Sequence, residues 1–287
     1  MNAETFSGLW FIDEPFAHRM EGIILPRLAA GFDPIPPHFL RANEQLRAGI
    51  SFRDSQGNFS YSRYLLDKYL TAGGGDVAVI PINGTMSRYG FCGGGNEEIA
   101  SVLAEAATEK QVKGVVLKMD TPGGTVDSTD MLADAVASFP KRIEAWTNYC
   151  ASAGMFVASQ ADDITMENGI VSSVGSIGVL MVYVDRSEQL EKSGQKVTIF
   201  RADGSQDKAR INGVEPLTDE LRAEITAQLN EAKASFDGYV RRGRAGKMIS
   251  DEPLTGKMYN KRDALRLGLV DRLGSLADTI NRVRSWA

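Results

Sequence analysis

Ser152 lies in the stretch Cys150-Ala-Ser-Ala-Gly-Met-Phe-Val-Ala-Ser159, one serine among small residues at the head of an apolar helical run. A serine hydroxyl attacks a carbonyl only if a base takes its proton and N–H groups hold the oxygen that becomes negative. Histidine is the usual base, but His18 and His38 are the only histidines and both lie far upstream. Lysine can replace it. Taking an ammonium group out of water disfavours its charged form and frees an amine, and serine–lysine pairs are a variant of triad chemistry. Downstream of Ser152 the candidates are Lys192, Lys196, Lys208, Lys233, Lys247, Lys257 and Lys261. Most read as solvated surface lysines. Lys208 differs, because it lies in the Gly-containing loop "RADGSQDKARINGVEP" after an apolar run.

The oxyanion could be held at a second stretch, "MDTPGGTVDS", Met119 to Ser128. A strand ending at Asp120, a Pro-Gly-Gly turn and then a helix would leave the N–H groups of Gly123 and Gly124 unobstructed by side chains. The N–H of Ala153, at the start of a helix, would be a second donor. A third stretch, "SSVGSIGVLMV", carries Gly175, Ser176, Ile177 and Gly178 at an expected strand entry, where backbone could lie beside an extended peptide. Each has a plainer reading: a β-to-α turn, a helix N-cap at Ser152, and a bulge or tight bend at 175–178. The full G-x-S-x-G elbow is absent, since Cys150 stands where its first glycine would be.

The elements that must position these residues alternate along the chain. "VAVIPI", "VKGVVLKMD" and "IEAWTN" read as buried strands, and "GNEEIASVLAEAATE", "STDMLADAVASF" and "ASAGMFVASQA" as the helices between and after them. Strand–helix alternation predicts an α/β fold with a mostly parallel sheet and crossover helices. In such a sheet the Pro-Gly-Gly turn and the Ser152 turn share the carboxyl edge, where α/β ligands bind. "GVLMVYV" and "KVTIFRA" are expected to be further strands, with "RSEQLEKSG" a helix between them. A long helix should start at Thr218, just after Pro216, and two amphipathic helices should flank Leu269-Val270-Asp271. Residues 1–75 look different: a Pro-rich "FDPIPPHF", a polar "RDSQGNFSYS" and a closing Gly73-Gly74-Gly75. They predict an N-terminal arm or small subdomain, linked by those glycines to a domain spanning 76–287.

Composition narrows the function classes. The 287 residues suffice for one large domain and its core, and 43% hydrophobic with 24% charged residues is ordinary for a globular protein. A net charge of -5 gives no electrostatic case for nucleic-acid binding. Cys92 and Cys150 are too few for a disulfide framework and lack metal-ligand spacing, so no metal or cofactor is expected. The acidic N-terminus does not read as a signal peptide, and no apolar run is long enough for a membrane span. The expected location is cytoplasmic, away from any membrane.

"DTPGGTV", "ASAGMFVAS", "SSVGSIGV", the lysine loop and "LRLGLVDRLGSL", in that order over about residues 76–280, resemble the S49 serine peptidases, the family of signal peptide peptidase A and phage protein C. The resemblance implies a crotonase-like, Clp-protease-like α/β fold, a Ser/Lys dyad and a homo-oligomeric ring. Carried over, Ser152 is the nucleophile, Lys208 the base, and Gly123, Gly124 and Ala153 the oxyanion donors. The family's lysine often follows Gly-Ser-His or Gly-x-His, whereas Gly204-Ser-Gln-Asp-Lys208 is about one residue longer. "FIDEPFAHRMEGII" and "NGVEPLTDEL" resemble the phage branch. That branch implies a maturation protease cutting scaffold, portal or itself in the host cytoplasm or inside a procapsid. The scaffold extension of some phage relatives is not seen in the sequence, so scaffold is expected to be a separate protein or a separate product. Three alternatives stay open: a soluble bacterial S49 peptidase, a crotonase-like acyl-CoA enzyme, and a non-catalytic capsid assembly factor.

Overall fold

The computed structural model describes residues 10–12, 26, 30, 60–90 and 94–286. Its frame is a seven-stranded sheet. Strands β2 (Val77–Asn83), β3 (Gly114–Thr121), β5 (Arg142–Ala151), β6 (Asp163–Met166) and β9 (Arg272–Leu273) run parallel, in the spatial order β2-β3-β5-β6-β9. The outer half of β5 turns to another neighbour, β7 (Ser173–Gly175), also parallel, and β7 pairs antiparallel with β8 (Met258–Asn260). Two short strands, β1 (Trp10–Ile12) and β4 (Gly123–Thr125), form a separate antiparallel pair. This is the α/β class with a mostly parallel sheet that the alternation predicts.

The apolar runs are strands because both faces of the sheet are covered, so every second residue finds a core on either side. In β2, Ala78, Ile80 and Ile82 join the main core, while Val77 and Val79 face a smaller cluster with Val116, Trp146 and Val283. Helices α1 (Tyr61–Ala72), α2 (Asn96–Thr108), α3 (Thr129–Ala137), α4 (Ala153–Ala158) and α6 (Asp219–Gly243) all send residues to the main core or pack partly buried side chains against it. The last helix, α8 (Leu276–Ser285), covers the smaller cluster through Val283, Leu276 and Ile280. Thr218 caps α6, accepting from the Leu221 N–H at 3.2 Å. Two short helices, α5 (Ser187–Lys192) and α7 (Lys261–Arg266), complete the order. No helix among the described residues is long and apolar enough to cross a membrane.

Three expectations are corrected. Gly73–Gly75 does not separate two packing units, because Leu65, Leu66 and Leu70 of α1 are buried in the same core as the sheet. These glycines close α1, with Gly73 and Gly75 donating to the Leu70 carbonyl, and a side chain at Gly73 would meet the Val77 carbonyl oxygen at 1.8 Å. Most of the expected arm lies outside the described residues. "GVLMVYV" and "KVTIFRA" are not strands either. They run as irregular backbone with Val182, Val184, Val197 and Phe200 exposed. An apolar run becomes a strand only where a sheet edge and a covering layer are available, and among the described residues neither run joins a sheet.

The "LRLGLVDRLGSL" stretch is structural. Leu267, Leu269 and Val270 are buried, and the Asp271 carboxylate accepts from the Ile164 N–H at 2.7 Å. Arg244, fully buried at the end of α6, donates to the Gly268 carbonyl and to Asp271, tying that helix to β6 and β9.

Candidate active site

The carboxyl ends of β3, β5 and β7 lie side by side, and the three stretches singled out in the sequence meet there. The β3–β5 register shifts between Met119 and Asp120, so that Asp120 pairs with Tyr149 and Thr121 with Cys150. On the other side Tyr149, Cys150 and Ala151 pair with Ser173, Val174 and Gly175. Ser152 follows at once, between the Pro-Gly-Gly turn and the Gly175–Gly178 segment.

Ser152 is not an ordinary helix cap. Its side chain makes no capping hydrogen bond to α4. The hydroxyl donates to the Gly178 carbonyl at 3.4 Å, and the Ser152 N–H donates to the Gly175 carbonyl at 2.8 Å. Its φ of 53° and ψ of -114° lie where a residue with a Cβ is strained. Such strain costs about 1–3 kcal/mol and persists only where surroundings impose it. Here they are a strand gripped on both sides and a helix beginning one residue later. A sharp strand-to-helix turn carrying a serine is the geometry of a nucleophile elbow. Ser152 is fully buried in this arrangement. Cys150, two residues before it, is no rival nucleophile: burial, with Asp120 adding to it, pushes its thiol well above the ordinary cysteine range.

The small residues around Ser152 are needed for close approach. A side chain at Gly154 would meet the Thr121 methyl at 2.6 Å and the Cys150 sulfur at 2.9 Å. At Gly124 it would meet the Met86 carbonyl oxygen at 1.8 Å.

Thr121 was not singled out in the sequence, although it opens the Pro-Gly-Gly turn. It is fully buried. Its hydroxyl donates to the Gly84 carbonyl at 2.7 Å and accepts from the Gly123 N–H at 3.1 Å. The turn is thereby stitched to the end of β2, and the Gly123 N–H is occupied. The Gly124 N–H points away from Met86, to the edge on which Phe11 of β1 pairs with it. Met86 donates to the Gly123 carbonyl and accepts from the Thr125 N–H, and backbone groups alternate sides along a strand, so the groups of Gly124 point to the opposite edge. Ala153 is the first residue of α4, and its N–H has no acceptor within the helix.

Gly175 and Ser176 have φ of 137° and 54°, and Ser176 donates its N–H to the Lys257 carbonyl at 2.9 Å. Ile177 is buried in the main core, and this segment meets Ser152 through the Gly175 and Gly178 carbonyls. Lys208 is exposed, in a turn where Arg201 donates to the Lys208 and Ala209 carbonyls. Its ammonium group has no hydrogen-bond or ion-pair partner among the described residues, and the structure does not bring it to Ser152. Beside its turn an open groove of about 380 Å³ separates Ala209, Arg210 and Ile211 from Leu221 and Ile225 of α6. Of the other candidates, Lys192, Lys233 and Lys247 are paired with carboxylates, Lys261 donates to Asn168, Lys257 lies over the Tyr259 ring, and Lys196, like Lys208, is exposed with no partner among the described residues.

Comparison with known proteins adds a family. The family model described as Peptidase family S49 matches residues 140–287, a span that includes Ser152 and Lys208 but not the Pro-Gly-Gly turn. Capsid assembly protease C of Escherichia phage lambda is 30% identical over 220 residues, covering 72% of this chain and 48% of that protein. Protease 4 of Haemophilus influenzae is 25% identical over 215 residues, covering 72% of this chain and 34% of that protein. The chain thus spans half or less of the length of these relatives. Among solved structures, a ClpP1 mutant from Listeria monocytogenes aligns over 77% of this chain and 99% of that chain, at 11% identity and a TM-score of 0.45.

Proposed function

This chain belongs to peptidase family S49, and from that premise we propose that it is a serine endopeptidase of phage head assembly, with Ser152 as nucleophile and Lys208 as base. The observation that carries the proposal is Ser152 itself: a strained serine at a strand-to-helix turn, its hydroxyl withheld from capping. In the proposed reaction the neutral Lys208 amine takes the hydroxyl proton as Ser152 Oγ attacks the scissile carbonyl. The Gly124 and Ala153 N–H groups receive the resulting oxyanion. Lys208 then returns the proton to the departing amine, and water, deprotonated the same way, hydrolyses the acyl-enzyme. Gly175, Ser176 and Gly178 would line the substrate from the other side with backbone.

Lys208 is proposed to reach Ser152 from a second copy of the chain. The lysine is exposed and unpaired, and Val182, Val184, Val197 and Phe200, exposed on the segments before its turn, form the surface such a copy would cover. A homo-oligomeric ring would build one dyad at each interface.

The phage role draws on the name of the lambda relative and on the likeness of residues 11–24 to phage and prophage members. Scaffold, portal, or the chain itself would then be the substrate. Protease 4 among the relatives favours a second reading, peptide digestion by the same site. The acyl-CoA reading gives way to family membership. The deciding experiment co-expresses the chain with its neighbouring capsid and scaffold proteins, wild type beside Ser152→Ala and Lys208→Ala, read by intact mass. Defined fragments in wild type and in neither variant are expected. Fragments lost only with Ser152→Ala would move the base to another lysine. No fragments at all, with activity on a general peptide library, would favour the second reading.

A further inference from the structure

A strand edge that binds an extended peptide must offer that peptide its own N–H and C=O groups. One edge of β4 is spent on Met86, and the opposite edge carries the outward N–H of Gly124. That edge is not open. Residues Trp10–Ile12 lie on it antiparallel, in the register Trp10 to Thr125, Phe11 to Gly124 and Ile12 to Gly123. The chain's own N-terminal segment thus lies as an extended peptide across the glycine proposed to hold the oxyanion. A separate observation points the same way: Ser152 is fully buried, and its hydroxyl rests on the Gly178 carbonyl. Edge and nucleophile are both closed to a substrate.

We infer that Trp10–Ile12 is a built-in competitor for the peptide substrate, filling the substrate's position on the glycine edge and leaving before a substrate can pair there. The inference rests on the proposed function for the identity of that edge as the substrate's. Energetics allow the exchange. Three residues of ladder make few hydrogen bonds, and each gains little net once exchanged for water, so the pairing is reversible. A tethered segment acts at an effective concentration on the order of millimolar, enough to exclude weak peptides and to yield to a well-matched one.

The test uses the full chain. Phe11→Pro removes the N–H opposite Gly124 and disfavours a paired strand. With a quenched fluorescent peptide library, kcat/KM should rise roughly tenfold through a lower KM with kcat unchanged, because the competent fraction increases. Trp10→Pro should act in the same direction and serves if the first variant folds poorly. A synthetic peptide of residues 7–16, added at about millimolar concentration, should inhibit the Phe11→Pro protein competitively. Unchanged kcat/KM in both proline variants, or a peptide that does not compete, overturns the inference. Amide exchange at Gly123–Thr125 is followed in parallel on a Ser152→Ala background. Protection should fall with Phe11→Pro and return with the added peptide, and protection that Phe11→Pro leaves unchanged also overturns it. This readout needs no cleavage, so failure of the serine–lysine assignment is seen separately, as activity surviving Ser152→Ala.

Discussion

At the scale of single residues, Ser152 and Thr121 carry the site in different ways. Ser152 stores strain at φ 53°, and only glycine relieves it. Ser152→Gly and Ser152→Ala should both be inactive, but the glycine variant should be the more stable by about 1 kcal/mol in urea denaturation. Equal midpoints would mean the turn is not strained. Thr121 acts through the turn it holds. Thr121→Val keeps the shape but unties the turn from the Gly84 carbonyl and leaves the buried Gly123 N–H without its partner, at about 1–3 kcal/mol for that unsatisfied N–H. The expected result is a lower kcat with little change in KM, rescued by Thr121→Ser. A Thr121→Val enzyme with normal kcat would remove Thr121 from the positioning of the oxyanion turn. A lysine base must lose its proton to act, so kcat/KM should rise toward alkaline pH. Activity undiminished in acid would count against Lys208.

At the scale of elements, the site depends on where strands end. The register shift at Met119/Asp120 sets the Pro-Gly-Gly turn beside Cys150, and β7 on the other side pins the Ser152 N–H. Gly124 shows how little room remains: a Cβ there falls 1.8 Å from the Met86 oxygen. Gly124→Val should therefore lose both activity and stability, and a variant that cleaves normally would exclude this turn as the oxyanion site. On the far side, the buried Arg244 joins α6 to Asp271. Asp271→Asn leaves that guanidinium without its counter-charge and should cost about 3–5 kcal/mol, read as a lower urea midpoint.

At the scale of the whole molecule, two behaviours follow. A buried charge network ties the sheet to α8 and the end of α6. Glu144 is fully buried with Arg142 and Arg282, and Asp163 is held by Arg142, Lys247 and Arg272. Burial works against the Asp163 carboxylate, yet the hydrogen bonds from Lys247 and Arg272 prevail and lower it from 3.8 to about 2. A carboxylate depressed in the folded state stabilises fully above its unfolded value, and that stability is lost as pH falls through the folded value. Denaturation midpoints should therefore drop between about pH 4 and pH 2, and Asp163→Asn should flatten this acid limb. The second behaviour concerns copies of the chain. If Lys208 acts on a neighbour's Ser152, mixing the inactive Ser152→Ala and Lys208→Ala proteins should restore part of the activity, and wild type should lose activity on dilution. A mixture that stays inactive beside a wild type insensitive to dilution would confine the dyad to one chain.

The sequence by itself determined the alternation of strands and helices, the meeting of the Pro-Gly-Gly and Ser152 turns at one edge, and the start of α6 at Thr218. These follow from local periodicity, turn chemistry and caps, which neighbouring residues specify among themselves. Tertiary structure alone decided that Thr121 occupies the Gly123 N–H, that Gly73–Gly75 closes a core helix, and that residues 178–184 and 196–202 are not strands. It also set Trp10–Ile12 on the glycine edge. Each of these depends on which partner, distant in the chain, reaches a given N–H, face or strand edge first, and hydrophobic period carries no information about that.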